Sequence, residues 1–300
     1  MVHFRSEIKT ASYSLLLITL FSAKMSAQHL PSIADSTINI ENVEIAYKDS
    51  GKGQVIICLH AVGHSSSDFK SLYSLPLDKY RVIAIDFPGH GRSGKPLQPV
   101  SATYFKSIVD SFIEKKSLKD VVIVGNSIGG ATAIRFASSN PNVKAIALAN
   151  PGGIDKGGLF APLFLNYMVS FFKKGERGDA KFAARFDKLY HSILTTDAAN
   201  ERRQEIINSA YQIAPLLVQA WKSFSRKEED LRPLIKNIHC PVLFTWAIKD
   251  KIVRFGRNKK AIAQFENAQL IKYDIGHTPY VECPETFLKD FNNFLDQLPH

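Results

Sequence analysis

The stretch VVIVGNSIGGATAIRFA, residues 121–137, constrains the fold of this chain more than any other. Its first four residues are apolar and β-branched, the pattern of a strand buried on both faces, and the residues after Gly130 have the alanine-rich spacing of a helix. Gly125 and Gly129 flank Ser127 at the turn between the two. A turn that tight needs small residues two before and two after the serine, because a Cβ there would meet the neighbouring strand or helix. The serine is then held out at the end of a buried strand in a strained conformation, as a nucleophile elbow. Gly-x-Ser-x-Gly alone also fits plain loops, so its meaning depends on partners elsewhere.

The remaining apolar runs say where those partners should lie. TINIENVEIAYKDSG contains two alternating segments that suit an antiparallel hairpin at a sheet edge. VIICLH, RVIAID, VVIVG, VKAIALAN, PVLFTWAIKD and AQLIKYDIGH follow as strands, separated by helix-like stretches such as residues 101–116 and 128–139. This alternation predicts an α/β fold, a mostly parallel sheet of about eight strands covered by helices on both faces. Functional groups in such sheets gather at the C-terminal strand ends. Asp250 emerges just after PVLFTW and His277 just after AQLIKY, so both fall on the same rim as Ser127. Each has a bland reading, a charged turn for Asp250 in KDK and a surface histidine for His277. The order Ser, Asp, His at three matching strand ends favours a triad: His277 takes the proton of Ser127, and Asp250 fixes the imidazole tautomer.

From about residue 36 onward the chain resembles the α/β-hydrolase fold superfamily. The matching segments are CLHAVGHSSSDF, IDFPGHGRSG, GNSIGGATA, TWAIKD and GHTPYVECPETF, in that order. The resemblance implies a core of residues 36–150 and 231–300, with residues 151–230 inserted after the sixth strand as a helical lid. By family position the backbone N–H groups of Val62 and Ile128 form the oxyanion hole. The family usually has His-Gly where this chain has His60-Ala61, a departure that bears on how the Val62 donor is aimed. His60 and His90 match histidines that hold loops together, and Asp86 and Arg92 read as scaffold in the same way. His64 matches no role.

A serine nucleophile excludes the branches that carry aspartate at the elbow, the haloalkane dehalogenases and epoxide hydrolases, and implies attack on a carbonyl. A carboxylic ester hydrolase with an apolar acyl or aromatic substrate is the leading expectation. The elbow is also similar to that of bacterial C–C bond hydrolases of ring-fission products, in which a lid arginine pairs with the substrate carboxylate; Arg203 in NERRQEII is the candidate here. Cofactor-free haloperoxidase or perhydrolase activity is compatible with the same triad, and so is a ligand-binding protein without turnover. Phe164 and Phe171, in GGLFAPLFLNYMVSFF, are candidate pocket residues whose bland role is to pack the lid on the core. No metal or cofactor is expected, since neither metal-ligand spacing nor a glycine-rich phosphate loop is visible.

The formal net charge is +10, from 38 Lys and Arg against 28 Asp and Glu. These charges are scattered, which argues against nucleic acid as a partner and leaves room for weak association with a membrane surface. Arg5 and Lys9 precede ASYSLLLITLFSA, too short for a span of about 20 residues but long enough for a signal-peptide core. Residues 1–27 are therefore expected to direct export to the periplasm or the extracellular space, with cleavage after Ala27. Met25 at the minus-three position departs from the small-residue rule, and an uncleaved N-terminal membrane anchor is the competing expectation. Cys58, Cys240 and Cys283 are an odd number, and Cys58 and Cys240 lie in or beside apolar runs, which suits buried free thiols.

Overall fold

The computed structural model describes residues 33–141, 143–155 and 161–299; the signal-peptide reading of residues 1–27 lies outside them. The described residues form one eight-stranded sheet in the order β1-β2-β4-β3-β5-β6-β7-β8. The strands are β1 (Ala34–Ile40), β2 (Val43–Gly51), β3 (Gln54–Leu59), β4 (Tyr80–Ile85), β5 (Val122–Asn126), β6 (Ala145–Ala149), β7 (Val242–Ala247) and β8 (Ala268–Tyr273). β1 and β2 form the edge hairpin, turning through Glu41 and Asn42 at positive φ, and β2 pairs antiparallel with β4. All other pairings are parallel, as the alternation of strand and helix predicts.

The helices are α1 (Ala102–Lys115), α2 (Ile128–Ser139), α3 (Ala161–Glu176), α4 (Phe182–Ile193), α5 (Asn200–Asn208), α6 (Ala210–Ser223), α7 (Phe255–Ile262), α8 (Pro279–Glu282) and α9 (Pro284–Leu295). α1 shows how locally these elements are specified. The Ser101 hydroxyl caps it by accepting from Tyr104 N at 3.0 Å, and Phe105, Ile108, Val109 and Phe112 recur on the face it buries.

Period-two alternation divides the strand side chains between the two faces of the sheet. Ile57, Leu59, Ile83, Ile85, Ile123 and Leu148 pack under α1 and α2, whereas Ile56, Cys58, Val82, Val122 and Val124 pack against α9 and the turn at residues 66–74. Between β6 and β7 the chain leaves the sheet and forms α3 to α6, with a core of its own built from Met168, Phe172, Phe182, Phe186, Tyr190 and Leu217. The C-terminal ends of β3, β5, β6, β7 and β8 therefore lie along one rim, and the functional candidates follow those ends.

Candidate active site

Ser127 sits between β5 and α2 at φ 52° and ψ −115°. Such a backbone is costly for a residue with a Cβ, and it persists only where its surroundings fix it. Here Ser127 N donates to Ala149 O at 3.0 Å, and Ser127 O accepts from Ala131 N at 2.9 Å and from Gly152 N at 3.1 Å. The flanking glycines are required by contact. A Cβ on Gly125 would stand 2.8 Å from the Gly130 Cα, and one on Gly129 would fall on the Leu59 carbonyl. The main chain of Ser127 is thus fully held, and its side chain makes no capping bond to α2.

His277 and Asp250 meet at the same rim. His277 Nδ1 lies 2.6 Å from Asp250 Oδ2, with both side chains almost wholly buried. A carboxylate only accepts, so Nδ1 carries the proton and the neutral ring keeps its lone pair on Nε2. Burial alone would lower the pKa of His277, but the charge and hydrogen bond of Asp250 outweigh it, helped by Glu282 and Asp68, and the net direction is upward. Asp250 is itself held in place: its Oδ1 accepts from Ile252 N at 2.7 Å and from Val253 N at 2.9 Å.

Three polar residues that the sequence reading passed over tie these loops together. Asn126, beside the serine, donates through Nδ2 to Ala149 O (2.9 Å) and to His277 O (3.3 Å), and its Oδ1 accepts from Thr278 Oγ1 (3.2 Å). Asn150, at φ 42°, donates to Asp250 Oδ2 at 2.7 Å and accepts from Ala247 N at 2.8 Å. Glu282 takes five donors. Its Oε1 accepts from Thr195 N (2.6 Å), Thr195 Oγ1 (3.0 Å) and Gly276 N (3.0 Å), and its Oε2 from His277 N (2.6 Å) and Thr278 N (2.9 Å). The available signal was a polar side chain at the end of an apolar strand, Asn126 after VIVG and Asn150 after AIALA. Such a residue is buried, and a buried polar group needs partners.

The loop after β3 carries the other candidates. Among the described residues, neither Val62 N–H nor Ile128 N–H has a hydrogen-bond partner. Ala61 is buried, and Gly63, at φ 79°, faces Ile213 and the Tyr190 hydroxyl, where a Cβ would come within 3.1 Å and 3.3 Å. His60 donates from Nδ1 to Ala61 O at 2.7 Å and accepts at Nε2 from Phe87 N at 3.0 Å; burial, reinforced by the charge of nearby His90, pushes its pKa well down. His90, bonded to Pro88 O, is pushed down to about 4 by burial. Both rings staple loops in the neutral form. Asp86 also joins loops, accepting from Ser66 N at 2.6 Å and Arg92 N at 3.0 Å.

His64, for which the sequence offered no role, lies 2.7 Å from Asp68, whose other oxygen accepts from Arg202 Nε at 2.6 Å. Burial pushes the Asp68 carboxyl up, but these two partners hold it well below the carboxylate range. Arg202 also reaches Ser65 Oγ at 3.0 Å, so α5 is fastened to the loop that carries Val62. Arg203 points elsewhere. Its guanidinium donates to the carbonyls of Leu194 and Thr196 and to Asn200 Oδ1, bracing the entry to α5. Phe164 packs edge-on against Trp221, and Phe171 against Phe172 and Phe182, both half-buried against the helical segment's own core.

The chain belongs to the alpha/beta hydrolase fold family, whose profile residues 54–284 match. It is 25% identical over 263 residues to the uncharacterized hydrolase YugF of Bacillus subtilis, covering 83% of this chain and 92% of that one. It is 26% identical over 277 residues to a 2-hydroxy-6-oxo-6-phenylhexa-2,4-dienoate hydrolase of Burkholderia cepacia, covering 86% of this chain and 94% of the relative. Among solved structures, an esterase from Exiguobacterium antarcticum superposes with a TM-score of 0.76 over 88% of this chain and all of its own, at 19% identity, which establishes a shared fold.

Proposed function

We propose that this hydrolase acts on a carbonyl substrate through an acyl-enzyme on Ser127, and that the substrate is a carboxylic ester with an apolar acyl or aromatic part. The observation that carries the reading is the pairing of a strained, half-buried serine with a buried His277–Asp250 dyad whose Nε2, among the described residues, has no hydrogen-bond partner. Ser127 Oγ attacks the carbonyl carbon as its proton passes to His277 Nε2, and the imidazolium is stabilised by Asp250. The N–H groups of Val62 and Ile128 hold the oxyanion of the tetrahedral intermediate. His277 then returns the proton to the leaving alkoxide and the acyl-enzyme forms. Water repeats the sequence from the other side, and carboxylic acid and free enzyme result. The helical segment α3 to α6 acts as the lid that shapes the acyl pocket.

The test is a panel of chromogenic esters of graded acyl length, run beside a ring-fission dienone and a peptide amide, with wild type and Ser127→Ala. Turnover of esters and labelling by a fluorophosphonate should both vanish in the variant, which should remain folded. The C–C reading draws support from the relative of Burkholderia cepacia. Preferred turnover of the dienone would select it, and an alanine variant with most of the wild-type rate would sink both.

A further inference from the structure

Among the described residues, one surface of the helical segment joins exposed apolar side chains to unpaired cations. Leu163, Tyr167, Ser170 and Lys174 are spaced so that they line up along the outer side of α3, over about 17 Å at 1.5 Å per residue. All four face solvent, and Leu163 and Tyr167 are each 65% exposed. They cannot be turned inward, because the opposite side of α3 supplies Met168 and Phe172 to the segment's core. Beside this stripe a groove of about 500 Å³ runs between α3 and α4, with Tyr167, Phe171 and Leu189 against its apolar part and Lys174, Arg185 and Lys188 at its edge.

The charge there is uncompensated. Residues 161–193 contain six basic and three acidic side chains. Asp187, the acidic residue of α4, lies 3.6 Å from His191, and among the described residues none of the three groove cations has an ion-pair partner. Lys188 also borders a second depression with His191 and Lys251, in which Lys249 is already paired with Asp274 at 2.9 Å.

We propose that the outer face of α3 and α4 docks on an anionic lipid bilayer, with Leu163 and Tyr167 at headgroup depth and Lys174, Arg185 and Lys188 on the anionic headgroups. An apolar protein groove would strand three cations, and a purely polyanionic partner would leave a leucine and most of a tyrosine ring in water. An anionic bilayer takes both kinds of group in one step: phenol rings settle at the membrane interface, and cations are drawn to the surface potential. The proposal does not depend on which bond Ser127 attacks.

The test is co-flotation of the full-length chain, in a Ser127→Ala background so that lipid is not consumed, with vesicles of equimolar phosphatidylglycerol and phosphatidylcholine or of phosphatidylcholine alone. Partition should be at least about tenfold stronger on the anionic vesicles and weaken steeply with salt. Lys174→Glu/Arg185→Glu/Lys188→Glu should lose about a hundredfold, from about fivefold per cation removed. Leu163→Ser/Tyr167→Ser should lower binding at every salt concentration without changing the salt slope. Should the triple variant fold poorly by circular dichroism, Lys188→Glu alone and the Leu163/Tyr167 pair carry the same comparison. The residues before β1 are common to every variant and cancel. Equal partition of wild type and the charge variants, equal partition on the two vesicle types, or equally tight binding to duplex DNA or polyglutamate would each overturn the proposal.

Discussion

Glu282→Gln exchanges one carboxylate oxygen for an NH2 group at a point where every partner donates. Glutamine can accept through one oxygen only, and its NH2 has nothing there to donate to. The cheaper orientation keeps the oxygen on Thr195 N, Thr195 Oγ1 and Gly276 N, and turns the amide nitrogen onto the N–H groups of His277 and Thr278. Two buried N–H groups then lose their acceptor, at about 1–3 kcal/mol each, or about 2–6 kcal/mol together. For a domain of this size the unfolding midpoint should fall by at least about 4 °C. The loss should be larger in catalysis than in stability, because the abandoned donors belong to the loop that aims His277. A displacement of about 1 Å there can cost about a hundredfold in rate. Thr195→Val is the control: it removes a single hydroxyl donor from Oε1 and should cost about 0.5–1.5 kcal/mol with nearly normal chemistry. Thermal unfolding by circular dichroism and the rate of fluorophosphonate labelling at Ser127 provide the two readouts. A midpoint within about 1 °C of wild type, together with a normal labelling rate, would refute the view that Glu282 holds the His277 loop.

The pH dependence follows from His277. Its pKa is raised in the fold, so the acid limb of the pH–rate profile should be centred above the ordinary histidine value of about 6.5, with activity lost as pH falls through it. Stability linked to the same group runs the other way, being complete below about pH 6.5 and lost as pH rises through the raised value; a limb centred below 6.5 would contradict both halves. Asn150 should be tested with two substitutions, since its backbone is left-handed at φ 42° and its side chain bonds Asp250. Asn150→Gly should lose at least about 1–3 kcal/mol, because the buried Ala247 N–H is left without its acceptor, and Asn150→Ala about 1 kcal/mol more from the strained φ, so equal melting of the two would remove the backbone part of the account. In a Gram-negative host, mass spectrometry should find protein beginning at Gln28; soluble protein that all retains Met1 would defeat the export proposal.

The order of elements was legible because each signal was local. A β-branched run, a glycine-flanked serine and an Ala-rich helix start lie within 17 residues at 121–137, and every strand predicted beyond the edge hairpin appears within a few residues of its place. Ser127, Asp250 and His277 could be picked out because a parallel sheet sends the ends of its strands to one rim. What brings His64 to Asp68 is a separation of four residues across the start of the turn at residues 66–74, but what gives that pair a purpose is Arg202, 134 residues further on, and nothing in the run HSSSD announces it. Arg203, singled out in place of its neighbour, differs from Arg202 by one position on α5, about 100° of rotation, which carries its guanidinium to the carbonyls at residues 194 and 196.

The same distinction explains why the unread residues are polar clamps. Asn126 joins the ends of β5 and β6 to the His277 loop, Asn150 joins β6 to β7 and Asp250, and Glu282 joins the His277 loop to Thr195 in the helical segment. Each buries groups that demand partners from another part of the chain, so its placement is fixed only once the sheet has brought the strand ends together. Once formed, the three clamps leave the loops around Ser127 little freedom. The serine's own main chain is tied to residues 131, 149 and 152 while its hydroxyl makes no capping bond. The nucleophile proposed for Ser127 needs that combination: the atoms around the reacting group are fixed before substrate arrives, so binding energy is not spent on ordering them.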